Sequence, residues 1–164
     1  MKRLIVVATV LSTVLLPSIA SAGKPLKEFF PADPITVEDV CDFPVLLDPI
    51  INKEYVKSFF DDEGNLERQI VTGRFVNEVT NLDTGQSITV NVSGPVFFTF
   101  AEDTLTVRLT GRSLLFFLPG ELTSGQDYLR VTNGPNIFVV DLSTGAITPR
   151  RESRNYVDLC EALG

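Results

Sequence analysis

Chemistry in this chain would have to come from carboxylates, arginines, hydroxyls and two cysteines, because the sequence holds no histidine. That absence takes away Ser-His-Asp and Cys-His catalysis and the usual zinc and copper ligand sets. Paired carboxylates remain as a catalytic device, but a glycosidase pair must face across a cleft with one partner in an apolar pocket. The candidates Asp61, Asp62, Glu63, Glu102 and Asp103 all fall in segments that read as turns, so they are taken as solvated loop charge. Asp61-Asp62-Glu63-Gly64-Asn65, with Glu67, packs oxygens around a glycine as calcium loops do, without EF-hand spacing. No catalytic, cofactor-binding or metal-ligating residue is assigned, no cofactor is expected, and the chain reads as non-enzymatic.

Arginines offer a second chemistry. Arg68, Arg74, Arg108, Arg112 and Arg130 lie in strand-like runs, where an inward guanidinium could clamp a small carboxylate. Arg108 shares parity with Thr106 and Thr110, which puts it on a polar outer face. Twelve phenylalanines and three tyrosines with no tryptophan make a core-heavy aromatic set. If a β-barrel encloses a cavity, Phe98, Phe100, Phe116 and Phe117 with Arg130 are the expected ligand-lining residues, favouring an apolar or amphipathic ligand.

The cysteines belong with the start of the chain. Lys2-Arg3, the apolar run Leu4–Leu16 and Ala20-Ser21-Ala22 have the three zones of a secretory signal peptide, with cleavage expected after Ala22. The apolar run is too short to cross a bilayer, since about 20 helical residues are needed. Export implies an oxidising compartment, so Cys41 and Cys160, the only two cysteines, are expected to pair. Metal ligation by the pair would want close spacing and histidine. Leader removal takes two of the 14 basic residues and none of the 21 acidic ones; 12 minus 21 leaves a net charge of −9. That sign speaks against nucleic acid and anionic membrane surfaces as partners.

The remaining chain is long enough for one domain with one core. Residues 23–40 read as an extended, proline-rich lead-in, and residues 41–164 as a single β domain. Strand-like runs alternate with turns about every ten residues: Lys53–Phe60, Leu66–Val79, Ser87–Val92, Leu105–Thr110, Asp127–Thr132, Ile137–Asp141 and Ala146–Pro149. Three runs, Val96–Phe98, Leu114–Leu118 and Ile137–Val140, are apolar at both parities and so need cover on both faces. Tyr156, Leu159, Cys160 and Leu163 have helical spacing within Asn155–Leu163. The predicted fold is all-β, an antiparallel barrel or closed sandwich of about 8 strands with a short C-terminal helix. Asn81-Leu-Asp-Thr-Gly and Asp141-Leu-Ser-Thr-Gly are echoes of one turn chemistry, and Asn91-Val92-Ser93 matches a glycosylation sequon.

The leader, the Cys41–Cys160 bracket, Asn91-Val-Ser-Gly-Pro and the Asp158-Leu-Cys-Glu-Ala-Leu ending together resemble small secreted proteins of actinobacterial type. That resemblance brings no function with it. By architecture alone the expected barrel is similar to lipocalin-like or allene oxide cyclase-like folds, which assigns no site residue. Two functions follow as expectations: a secreted barrel binding a small apolar or amphipathic molecule, or an extracellular interaction or envelope-associated module without a ligand.

Overall fold

The computed structural model describes residues 25–164; the expected leader lies outside the described residues. Twelve strands and one helix follow in chain order: β1 Leu26–Phe29, β2 Ile35–Val37, β3 Val45–Phe60, β4 Leu66–Asn81, β5 Ser87–Asn91, β6 Val96–Ala101, β7 Thr104–Leu109, β8 Arg112–Phe117, β9 Tyr128–Asn133, β10 Asn136–Asp141, β11 Ile147–Arg151, β12 Tyr156–Asp158 and α1 Leu159–Leu163. The protein is mostly β, with antiparallel sheets. The expected turns carry the hairpins. Asp61 Oδ1 accepts from the Glu63 and Asn65 amides between β3 and β4. The echo is one turn built twice: Asn81 Oδ1 accepts from the Asp83 and Thr84 amides, and Asp141 Oδ1 from the Ser143 and Thr144 amides. Gly85 and Gly145 close the two turns at φ 75° and 74°, a region that side chains resist.

Nine strands form one sheet along the path β1-β3-β4-β6-β7-β10-β11, with β2 also on β3 and β5 also on β4; β12-β9-β8 form a second. Among the described residues no sheet closes into a barrel, and there are more strands than the eight expected. Closure fails because the ends of the large sheet, β1 with β2 and β11, find no strand partner in each other.

The register explains what takes the place of closure. One face of the large sheet carries Leu47, Val79 and Val90 at one end and Val96, Leu109 and Phe138 at the other. The first group packs with Leu129, Val131 and Leu114, the second with Leu115, Tyr128 and Phe117. Those partners alternate along β8 and β9, so they occupy opposite faces of the small sheet. The large sheet therefore bends around the β8–β9 hairpin and covers both sides of it. Leu114, Leu115 and Phe117 are thus packed from both sides, while Phe116 and Leu118 of the same apolar run stay exposed. Phe97, Ile137 and Val139 face outward instead and stay only half-buried.

The lead-in is built into the large sheet. Its β1 and β2 pair with the two ends of β3, and Val37 enters the first core cluster. Cys41 and Cys160 are bonded, with Cα atoms 5.4 Å apart, and join the lead-in to α1 at the rim of that cluster. The helix is shorter than Asn155–Leu163. Tyr156 and Val157 pair with Thr132 and Val131 as strand, and Asp158 then caps α1 by accepting from the Cys160 and Glu161 amides. Leu159 and Leu163 are fully buried, and Asn81 Nδ2 donates to the Leu163 carbonyl at 3.0 Å.

Candidate functional site

Where the large sheet stops short of closing, β2 and β8 face each other across a seam. A cavity of about 220 Å³ opens there, lined by Ile35, Leu47, Pro49, Phe75, Leu114 and Phe116, with Asn77 and Asp33 as its polar members. A second hollow, about 280 Å³, continues from it past Ile35 and Phe116 to Leu118, with Glu38 and Asp39 at its side. Neighbouring strands build the wall. Asn77 and Phe75 share the inward parity of β4, opposite Pro49 and Asn52 of β3, and a bulge between Pro49 and Ile51 keeps Pro49 inward while expelling Ile50 to solvent.

Asn77 is the unusual member. It is only 2 % exposed, and its Nδ2 has no hydrogen-bond partner within the protein. An amide in that state carries the full desolvation penalty of its donor, on the order of 1–3 kcal/mol. The arrangement offers one hydrogen-bond donor inside an apolar recess, with carboxylates at the mouth.

The five residues expected to line a ligand do not gather around one cavity. Phe116 lines the seam. Phe100 borders a hollow of about 560 Å³ of mixed character, shared with Leu66 and Leu142, Glu67 of β4 and the turn residues Asp61, Asn65 and Glu102. Phe98 faces inward from β6, opposite Gln69 and Val107. Phe117 is core packing, with ring centroids 5.3 Å from Tyr128 and 5.0 Å from Phe138. Arg130, opposite Leu115, lies on the same face of the small sheet as Tyr128, stacks on the Tyr128 and Tyr156 rings and pairs with Glu152. Tyr128 donates to Glu152 at 2.6 Å, and burial first, then that bond, pushes its phenol well above the usual range. Arg130 is thus tied into a structural knot.

The other sequence candidates are accounted for by turns and edges. Asn65 and neighbouring amides engage Asp61 and hold its carboxyl below the usual range. Among the described residues no group of three or more acidic or cysteine side chains is placed to hold a metal ion. Asn91 is exposed, its Oδ1 accepting from Ser93 at 2.6 Å. Glu54 is the one buried acid among the described residues, and burial raises its pKa to about 6.

Asn77, Phe75, Leu47 and Leu114 were missed as lining residues. A signal existed, since an asparagine flanked at its own parity by Phe75 and Val79 is out of pattern, but which strand would lie opposite depends on long-range pairing. No protein-family model, curated protein or solved structure matches the chain.

Proposed function

We propose that this protein is a non-enzymatic extracellular binding module that takes a small amphipathic molecule, oxygen end first, into the seam between β2 and β8. The observation that carries the reading is Asn77, a buried amide donor without a partner inside an apolar recess. A ligand oxygen accepting from Nδ2 relieves its desolvation penalty while the ligand's apolar body covers Phe75, Leu114 and Phe116. Asp33, Glu38 and Asp39 at the mouth disfavour a carboxylate, so the head group is a neutral hydroxyl or carbonyl. An extracellular setting is supported by the Cys41–Cys160 bond, which persists in oxidising compartments. No helix among the described residues is long and apolar enough to cross a membrane.

Calorimetric titration with 1-decanol, methyl decanoate and decanoate tests this. The two neutral compounds should bind and decanoate should bind at least tenfold more weakly. Leu114→Trp, which fills the recess, should abolish binding, and Asn77→Leu should weaken it with the fold retained. Equal binding to Leu114→Trp, or a high-resolution structure with decanol elsewhere and only water on Asn77, defeats the proposal.

A further inference from the structure

The register of the large sheet lines up residues that the sequence scatters over more than a hundred positions. Lys27 lies opposite Lys57, Lys57 opposite Ile70, Ile70 opposite Phe97, Phe97 opposite Arg108, Arg108 opposite Ile137, and Ile137 opposite Arg151. This row crosses seven strands on the face turned away from β8 and β9. At about 4.8 Å per interstrand step it runs roughly 29 Å along the sheet. Lys53, directly opposite Arg74, and Arg68 lie beside it on the same face. All seven of these cations are exposed, and the one ion pair among the described residues, Arg130–Glu152, lies on the small sheet.

The arrangement opposes stability. Lys27 against Lys57 and Lys53 against Arg74 are like charges directly across antiparallel pairs, which destabilises a sheet. Aromatic neighbours hold the side chains in place: Lys27 sits over Tyr55 at 4.1 Å, Arg68 over Phe59 at 4.3 Å and Arg108 over Phe97 at 4.5 Å. Such stacking pre-orders a guanidinium while leaving its N–H edge free for an oxyanion. Carboxylates bound the band on both sides. Asp48 opposes Glu78 toward one end of the strands, and Asp61, Asp62, Glu63, Glu102 and Asp103 fill the turns at the other.

We propose that this band binds an acidic polysaccharide lying across the strands. A linear row of cations with acids on either side matches a linear polyanion. A flat anionic bilayer would meet the acidic turns as well as the band and be repelled by them. Single-stranded nucleic acid is held by free aromatic faces on which bases stack. Here three of the rings already carry a cation. The band is on the opposite face from the seam cavity and stands independently of the reading given for it.

Fluorescence anisotropy of the purified, disulfide-bonded protein with labelled oligogalacturonate of about ten sugars tests the proposal, with a dT20 oligonucleotide, phosphatidylglycerol vesicles and neutral dextran as comparisons. With about four contacts and the salt slope of a flexible polyanion, raising sodium chloride from 50 to 200 mM should weaken binding about 50-fold. Lys57→Gln and Arg108→Gln should each lower affinity several-fold and flatten the salt dependence, while Arg154→Gln, off the band, leaves both unchanged. Circular dichroism of the variants checks that the sheet persists. Absence of oligogalacturonate binding, tighter binding to dT20 or vesicles, or unaltered binding by both band variants overturns the proposal.

Discussion

Breaking the Cys41–Cys160 bond isolates what the staple contributes, because few other contacts change with it. The bonded residues are 119 positions apart. In the chain-entropy description a loop of that length constrains the unfolded ensemble by about 16 cal/mol/K, or about 5 kcal/mol at 25 °C, and native distortion only subtracts from this. The folded side should hold, because Leu159 and Leu163 stay buried and Asn81 still donates to the Leu163 carbonyl. The double variant Cys41→Ser, Cys160→Ser should therefore lose roughly 3–5 kcal/mol in urea unfolding with nearly unchanged far-ultraviolet dichroism. Its m-value should rise, since the released unfolded chain exposes more surface. A loss below about 1 kcal/mol at unchanged m would refute the argument, as would two reactive thiols per chain in the folded native protein.

Three further outcomes follow. Glu54→Gln should stabilise the protein by roughly 1–2 kcal/mol at pH 7. The native pKa, about 6, lies above the ordinary 4.5, so the folded state binds more protons and stability falls as pH rises through 4.5 to 6. Urea titrations at pH 4.5 and 7 should show that the variant loses this slope; destabilisation by Gln would contradict it. Asn81→Ala removes a turn acceptor and the donor to the Leu163 carbonyl, and should cost about 2–3 kcal/mol by thermal or urea unfolding. Gly73→Ala would drive a methyl group into the Lys53 carbonyl across the strand pair, so a loss of about 3 kcal/mol or more is expected in the same assay.

Local chemistry was the legible part of the fold. Asn81 and Asp141 announced their turns, and the double-parity run at Leu114 announced a strand packed on both faces, though Phe116 and Leu118 in it stay exposed. The bend that supplies both covers was not legible, because it depends on β2 and β11 reaching neither each other nor a closing partner. Tyr156 illustrates a local signal overridden: its helical spacing is real, but pairing with Thr132 holds it as strand. The seam residues Leu47, Asn77 and Leu114 come from three distant stretches, so only long-range register brings them together. Charge shows the same limit. The acidic total was plain in the composition, yet it concealed a basic band whose members alternate in sequence with inward residues.

A hairpin shared between two hydrophobic clusters has a thermodynamic consequence. The first cluster uses one side of β8 and β9, the second the other, so neither half of the large sheet can detach without baring a strand face to water. Two clusters that would otherwise melt as separate units are coupled through a common element. Unfolding should be a single cooperative transition with equal calorimetric and van't Hoff enthalpies, and any opening of the seam short of it has to arise by movement of the β2 edge, with the hairpin beneath it left in place.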